Sequence, residues 1–472
     1  MEEIIICYYK SLFTTSRPRV QEDDLRFVSN VVSEDMTRSL NRDISKEEVV
    51  KALKQMHPSK APGPDGFSLV FYDFYQQFWE IVGADVVMAV REFLNSEELI
   101  REINHTWVTL IPKVKTPEYV HQLRPISLCN VIYKLGSKVL ANRIKPLLDD
   151  IISQHQGTFV PGRLISDNSL LAFEISHCLK RRKRGKVGYC ALKIDMSKAY
   201  DRVEWSFLET VLSKLGFGGN LLRWVMNCVR TVSYSFLVNG EPSREVIPTR
   251  GLRQGDAISP YLFLVCAEVL SRMINEAEAR DQIHGIRVCT GAPVVNHLFF
   301  ADDSFIFLKA EVEDVLSMKQ IFVAYERMSG QQINYDKSCI SFSRNVPFRK
   351  YVELAEMLGV KRVLKHDKYL GLPTELSYSK DEAFRFLIDR VRKRTQDQEG
   401  YSASPVSDDE DVAFWLVADT SVKAMGAAAS WAASFGPDPK WAATGSPLEG
   451  GWAWVCVCFV VSPLWARVLG CW

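Results

Sequence analysis

Two stretches of the chain place carboxylates where an ordinary fold has little use for them. The first is Tyr189-Cys190-Ala191-Leu192-Lys193-Ile194-Asp195, a near-continuous apolar run of strand length that ends in an acid. Residues Met196 to Tyr200 then lead toward a helix through Trp205, Phe207, Leu208 and Leu212. A carboxylate where a core strand meets a helix is costly to strip of water unless a positive group lies against it. Taken alone, Asp195 is as well explained as a helix cap. The second stretch runs from Asn296 to Leu308, where aromatic-rich segments flank Ala301-Asp302-Asp303 and predict a tight β-hairpin. Adjacent acids at a hairpin tip repel each other, and a divalent cation with oxygen ligands is their natural partner. A lone Asp-Asp turn would still suit a structural role. Together the two stretches are more specific. Two-metal nucleotidyl transfer needs carboxylates from separate strands to hold ions roughly 3.5–4 Å apart. Asp195 and Asp302, with Asp303 beside them, meet that requirement: one ion would activate an attacking 3′-hydroxyl and the other would neutralise a leaving pyrophosphate.

A third stretch, Arg250-Gly251-Leu252-Arg253-Gln254-Gly255-Asp256-Ala257-Ile258-Ser259-Pro260, precedes an apolar helix over Tyr261–Met273. Ser259 is the expected N-cap and Pro260 the first helical residue. Gly251 and Gly255 let the backbone come close to a template base or an incoming nucleotide. By itself the stretch is equally a plain loop-to-helix junction.

The elements that must position these residues are legible in outline. Ser45 and Glu48 form a capping box before Val49, Val50 and Leu53. Lys60-Ala61-Pro62-Gly63-Pro64-Asp65-Gly66 is a loop, and Phe71, Phe74, Tyr75, Phe78 and Trp79 follow on a helical spacing. A strand is expected over Trp107–Ile111 and an amphipathic helix over Tyr133–Leu148. The run Lys180-Arg181-Arg182-Lys183-Arg184-Gly185-Lys186 reads as a solvated loop, a phosphate-contacting loop or a nuclear-import signal.

With 472 residues the chain has room for two or three packed subdomains. Its net charge of +1 hides an asymmetry: residues 401–472 are acidic, and the first 400 carry 55 basic against 50 acidic side chains. A mildly basic body is compatible with a nucleic-acid partner. The 11 cysteines lack regular spacing and read as reduced core thiols. No secretory signal follows Met1-Glu2-Glu3, so an intracellular protein of nucleus or cytoplasm is expected. The apolar segment Gly450–Trp472 is broken by Pro463 and Arg467, which argues against a membrane span. From about Gln396 the composition turns Ala- and Trp-rich without a sustained period, which predicts a separate, poorly ordered appendage.

The three chemical stretches resemble polymerase motifs A, B and C of reverse transcriptases: Asp195 with Tyr200, Arg253-Gln254-Gly255-Asp256, and Phe300-Ala301-Asp302-Asp303. The surrounding text resembles plant LINE-type (non-LTR) retrotransposon enzymes over roughly residues 5–394. It includes the Lys60–Gly66 loop, Leu110-Ile111-Pro112-Lys113, Arg124-Pro125-Ile126-Ser127, Phe159-Val160-Pro161-Gly162-Arg163, Met196–Trp205, Gly330–Ser338 and Tyr369–Thr374. The resemblance implies an α+β right-hand polymerase with an antiparallel palm sheet backed by helices. Its parts would be an N-terminal extension (1–44), fingers (45–185), palm (186–375), a thumb stub (376–394) and an unrelated tail (395–472).

The resemblance also implies roles. Asp195, Asp302 and Asp303 would bind two Mg²⁺, with Mn²⁺ as a substitute. Tyr200 would screen the sugar 2′ position, Gln254 and Gly255 would line the template–nucleotide pocket, and Arg124 and Lys113 would contact the triphosphate. Lys337 would protonate the leaving pyrophosphate, or be a surface lysine. Tyr369, Leu370 and Gly371 would form the primer-grip hairpin. RNA template, DNA primer and dNTPs would be the partners, with no stable membrane association. Ala257-Ile258 stands where the family usually has Pro-Leu, and the resemblance leads to the expectation of a polymerase with most of its thumb lost and without the endonuclease that normally precedes it. An RNA-binding remnant and a maturase-like splicing helper are the alternative expectations.

Overall fold

The capping box is formed as expected. In the computed structural model the Ser45 side chain accepts from the Glu48 N–H and the Glu48 carboxylate accepts from the Ser45 N–H, opening a helix over Lys46–Lys54. Val49, Ala52 and Leu53 turn inward from it. The structure describes residues 1–20, 22–56, 61–67, 74–75, 77–96 and 101–374, together with 385 and 389. Of the expected aromatic helix start, Phe71 lies outside the described residues while Trp79 opens a helix over Trp79–Asn95; nearly all of the thumb stub and the whole tail with its apolar Gly450–Trp472 segment also lie outside them.

The strands fall into two larger sheets and a hairpin. β1 (His105–Pro112) and β2 (Leu123–Cys129) pair antiparallel, with Thr106 opposite Cys129 and Pro112 opposite Leu123. β3 (Tyr189–Ile194) is the strand read from the apolar run. β4 (Ser233–Val238) pairs parallel with β1 and antiparallel with β5 (Glu241–Pro242), giving the sheet order β2-β1-β4-β5. β6 (His297–Phe300), β7 (Asp303–Lys309), β8 (Cys339–Phe342) and β9 (Lys361–Arg362) join β3 in a five-stranded sheet of order β6-β7-β3-β8-β9. This sheet is antiparallel except at its edge, where β8 and β9 run parallel. β10 (Lys368–Tyr369) and β11 (Leu372–Pro373) form a short antiparallel pair.

Strands buried on both faces read as continuous apolar runs rather than alternating ones. That is the state of β3, where Cys190, Leu192 and Ile194 are buried beside Ala191, and of β7, where Phe305, Ile306, Phe307 and Leu308 are all buried. Helices Trp205–Leu215, Ser259–Ala279 and Val312–Ser329 pack on one another, and the last also touches β7. The fold is therefore α+β, with antiparallel-rich sheets backed by helices.

The helix expected to open at Ser259 begins one residue earlier. Ile258 is the N-cap, Ser259 the first helical residue, and Pro260 falls in the second position. Ser259 Oγ is directed to Asp256 Oδ2 at 3.4 Å rather than to the helix's own N–H groups, which is why the cap signal misplaced the boundary.

The chain divides into two compact units. Among the described residues, the first holds Met1–Asn168, Leu179–Ile286 and Val295–His366, and the second holds Ser169–Cys178, Arg287–Val294 and the described residues from Asp367 on. The first 44 residues contribute to the first unit: Tyr9 stacks on Phe236 at 4.6 Å, and the Ser16 N–H donates to buried Glu204, which also pairs with Arg250 at 3.3 Å.

Candidate functional site

The strand register brings the three acids together. β3 and β7 are paired up to Ile194 and Ser304, so Asp195 stands one step beyond the ladder, opposite Asp303. Phe300 pairs with Asp303 across the β6–β7 hairpin, leaving Ala301 and Asp302 as a two-residue turn. Ala301 takes a positive φ of 53° there, a conformation such turns demand. Asp302 is open to solvent at the tip, yet the protein around it withdraws enough water to raise its carboxyl above the usual range. Its own main chain opposes the rise, Asp303 and Asp195 add to it, and the Arg124 guanidinium counters them. Asp303 is met by Lys193, whose Nζ lies 3.8 Å from Oδ1. The Asp195 main chain is fixed on both sides: its N–H donates to Ser338 Oγ at 3.1 Å and its carbonyl accepts from the Asn334 N–H at 2.8 Å.

A loop that sequence reasoning passed over braces this hairpin from below. The Ala301 N–H donates to Gln156 Oε1 at 3.1 Å, the Phe299 N–H donates to the His155 carbonyl at 2.8 Å, and the Gly157 N–H donates to the Phe299 carbonyl at 2.9 Å. Asn168 Nδ2 donates to the same carbonyl at 2.9 Å. Arg163 ties the loop to itself through the carbonyls of Ile152, Ser153 and Gln156. The available signal was Gln156-Gly157, separated by Thr158 alone from the family stretch Phe159–Arg163.

The Arg250–Asp256 loop is clamped between the turn after β3 and the hairpin β1–β2. The Gly251 N–H donates to the Val203 carbonyl and the Leu252 N–H to the Tyr200 carbonyl, both at 2.8 Å, and the Trp205 indole donates to the Gly251 carbonyl at 2.8 Å. Gly251 has φ 98°, and a Cβ there would stand 2.7 Å from the Asp201 carbonyl, so its close approach is to the chain's own backbone. The Ser127 N–H donates to the Gln254 carbonyl at 2.9 Å, and Gln254 Nε2 donates to Asp201 Oδ1 at 3.0 Å. Asp201 is fully buried, its Oδ2 has no hydrogen-bond partner among the described residues, and burial raises its carboxyl to about 6. Arg253 is not a surface contact: it is buried against the Tyr133 ring and bonds Asn104 Oδ1 and the Cys228 carbonyl. Tyr200 lies flat on Phe263, with ring centroids 4.6 Å apart and planes within 7°. Burial and the charge of Asp302 both push its hydroxyl pKa up.

The remaining expected residues divide. Lys113 and Arg124 are exposed on the β1–β2 hairpin, where Ile111 faces Arg124 and the Lys113 N–H donates to the Gln122 carbonyl. Lys337 is exposed on the turn before β8, with its N–H bonded to the Asn334 carbonyl. Tyr369, Leu370 and Gly371 belong to the β10–β11 hairpin in the second unit, where Leu370 and Gly371 have φ 49° and 79°, the pattern of a tight hairpin turn. Tyr369 is buried within that hairpin.

The chemistry of the donor set suits a divalent cation. Three carboxylates repel one another at the end of paired strands, and Lys193 and Arg124 are the cations near them. Among the described residues no group of three His, Cys, Asp or Glu side chains is placed to hold a metal ion by itself. Mg²⁺ does not need one, because it binds through one or two carboxylates with substrate phosphates and water completing its shell.

The model of the family described as reverse transcriptase (RNA-dependent DNA polymerase) matches residues 111–387. The chain is similar to an uncharacterized 149 kDa protein of transposon TX1 from Xenopus laevis, 27% identical over 308 residues that make up 65% of this chain and 23% of that protein. It is similar to a retrovirus-related Pol polyprotein from the type-1 retrotransposable element R2 of Popillia japonica, 26% identical over 346 residues, 70% of this chain and 45% of that one. An uncharacterized mitochondrial protein of Arabidopsis thaliana is 39% identical over 116 residues, 24% of this chain and 91% of its own length. The chain thus spans less than half the length of the two transposon proteins. No helix among the described residues is long and apolar enough to cross a membrane.

Proposed function

Because this chain belongs to the reverse transcriptase (RNA-dependent DNA polymerase) family, we propose that it adds deoxynucleoside monophosphates to a primer 3′-end on an RNA template, as the polymerase portion of a plant LINE-type, non-LTR element. The observation that carries the reading is the register that sets Asp195 opposite Asp303 beside the Asp302 turn, with Arg124 acting on Asp302. Asp195, Asp302 and Asp303 would hold two Mg²⁺ ions (Mn²⁺ as substitute), which supply activation of the primer hydroxyl and neutralisation of the leaving pyrophosphate.

The chain's own groups do the rest. Tyr200, fixed by its stack on Phe263 beside Asp302, screens the 2′ position of the incoming sugar. Gln254, held by Asp201 and Ser127, presents the loop against which template base and nucleotide pair, and Gly255 leaves that surface open. Arg124 and Lys113 bind phosphate oxygens, for which a guanidinium fork and a mobile ammonium are both suited. Lys337 delivers a proton to the departing pyrophosphate. In the resemblance's terms, the β1–β2 hairpin belongs to the fingers, the five-stranded sheet to the palm, and Tyr369–Gly371 to the primer grip.

Primer extension on poly(rA)/oligo(dT) with Mg²⁺ tests the reading. Extension in the wild-type chain that vanishes in Asp302→Ala is the expected result. Absence of extension in both, with RNA binding retained, would replace the polymerase by a binding remnant of the same fold.

A further inference from the structure

The first residues of the chain reach the Arg250–Asp256 loop directly. Beyond the helix Glu2–Leu12, the backbone runs along the start of that loop. The Thr249 and Arg250 N–H groups both donate to the Phe13 carbonyl, at 2.8 and 3.1 Å. Arg250 Nε donates to the Leu12 carbonyl at 2.8 Å, and the Thr15 N–H donates to Thr249 Oγ1 at 2.8 Å. Arg17, whose N–H donates to Thr15 Oγ1 at 2.9 Å, is held at φ 53°, a conformation that non-glycine residues keep only where their surroundings fix it.

These contacts meet at Glu204. Its carboxylate is 1% exposed, and an anion so placed needs a cation and a full set of donors. Oε1 accepts from the Ser16 N–H and hydroxyl, both at 2.9 Å, and from Arg250 Nη1 at 3.3 Å, while Oε2 accepts from the Thr15 hydroxyl. The Glu204 N–H donates to the Ser329 carbonyl at 3.0 Å, and a Cβ on Gly330 would stand 2.5 Å from Glu204 Cγ, so the side chain is packed closely on that side too. Glu204 closes the turn that carries Tyr200 and Asp201, and Arg250 opens the loop that carries Gln254 and Gly255. The next residue on each side repeats the link, because the Trp205 indole donates to the Gly251 carbonyl at 2.8 Å. Turn and loop are thus joined through a segment that lies ahead of the family-matched residues 111–387.

We propose that Glu204 is a positioning residue through which Thr15 and Ser16 set the spacing between Tyr200 and Gln254, and with it the fit of the incoming nucleotide's sugar. That the occupant is a nucleotide rests on the polymerase reading; the coupling of the N-terminal segment to the loop does not. Glu204 acts on the loop through Arg250, and the two hydroxyls act through Glu204.

A double variant, Thr15→Val with Ser16→Ala, tests this in the full chain. It removes two hydroxyl donors and keeps the buried Glu204–Arg250 pair, so the fold is retained. Hydrogen exchange of residues 249–256 should quicken about tenfold or more, as loss of hydrogen bonds to a charged group predicts, while exchange in β3 stays at the wild-type rate. In primer extension well below the melting temperature, KM for dNTP should rise about three- to tenfold and the preference for dNTP over rNTP should fall by a similar factor. KM for primer–template should not change. Thr15→Ser with Ser16→Thr, which keeps both hydroxyls, should behave as wild type. Exchange of residues 249–256 at the wild-type rate in the hydroxyl-free variant would overturn the proposal. Faster exchange with wild-type KM and sugar preference would overturn it as well, leaving Glu204 as a brace of the fold. Faster exchange, in a protein whose wild-type chain cannot extend primers, would uphold the coupling and sink the polymerase reading instead.

Discussion

The two larger sheets handle their functional side chains in opposite ways. In the five-stranded sheet the acids project from strands buried on both faces, and backbone groups beside them are held by hydrogen bonds: Asp195 by Ser338 and Asn334, Ala301 by Gln156, Phe299 by His155 and Gly157. In the four-stranded sheet the basic residues sit where burial has run out. Ile111, Pro112, Lys113 and Arg124 are all exposed, although Val108 and Cys129 farther down the same strands are buried. The difference follows from the distances over which each group works. Metal ligands must be held to fractions of an ångström, whereas a positive charge attracts phosphate over a Debye length of about 8 Å at physiological salt. On the proposed reading, a rigid scaffold would serve the acids as metal ligands and an exposed hairpin would serve the cations as phosphate contacts.

The sharpest way to break this contrast is at the acid end. Asp302→Ala should lower primer extension by about a thousandfold or more, since removing charge that acts at the reacting atoms costs the transition state several kcal/mol. It should leave the melting temperature unchanged or raise it, because the mutation removes a carboxylate that burial and two neighbouring acids already disfavour. A variant that lost activity only in step with its fold would show that Asp302 is part of the scaffold.

Gln156 tests whether rigidity is what the acids need. It is 2% exposed, accepts from the Ala301 N–H, and its Nε2 has no hydrogen-bond partner among the described residues. Gln156→Ala should cost about 1 kcal/mol of stability, because the part-buried Ala301 N–H loses its acceptor. We expect kcat to fall by about ten- to a hundredfold with KM little changed, since misplacing a reacting group by about an ångström costs that much. Steady-state kinetics below the variant's melting temperature would reveal it; an unchanged kcat would mean that the strand ladder alone holds the turn.

How much of this was legible in the sequence depends on the range of the interaction. The apolar run of β3, the Ala-Asp-Asp turn and the Ser45–Glu48 box are local patterns, and each formed where it was expected. The parallel pairing of β4 with β1 joins residues such as His105 and Ser233, and nothing local in either strand specifies its partner. Gln156, Asp201 and Lys198 stood next to or inside stretches that were recognised. Their contacts are with Ala301, Gln254 and Leu123, all distant in the chain, so residue type and spacing did not distinguish them from surface polar groups. The placement of Ser259 failed for a different reason: a nearby acid, Asp256, competed for its hydroxyl.

At the basic end the expected effects are milder. Arg124→Ala should raise KM for dNTP about tenfold with kcat within a few-fold, as fits the loss of one charge-assisted phosphate contact. The defect should shrink as salt is raised, because an exposed charge is screened. A fall in kcat at unchanged KM would mean that the pull of Arg124 on Asp302, and not a contact with phosphate, is its main role, and would contradict the division of labour drawn above.

The smallest effect belongs to Asp201, which lies between the two regions and behaves like neither. It is as buried as any core residue, yet Lys113 and Lys198 from the basic side partly offset the burial that raises its carboxyl to about 6. Unfolded, the group would titrate near the ordinary value of about 3.9. Between those values the folded chain binds the proton and the unfolded chain does not, so its contribution to stability is complete below about pH 4 and is lost as pH rises through 6. Asp201→Asn keeps an oxygen for Gln254 Nε2 and has no charge to lose. Relative to wild type, its melting temperature should therefore rise as the buffer moves from pH 5 to pH 7, a range that stays below most of the titration of Lys198. Differential scanning fluorimetry across that range resolves a shift of a few degrees. A flat difference would mean that Asp201 stays ionised throughout, held by its lysine neighbours, and would move it to the basic side of the comparison.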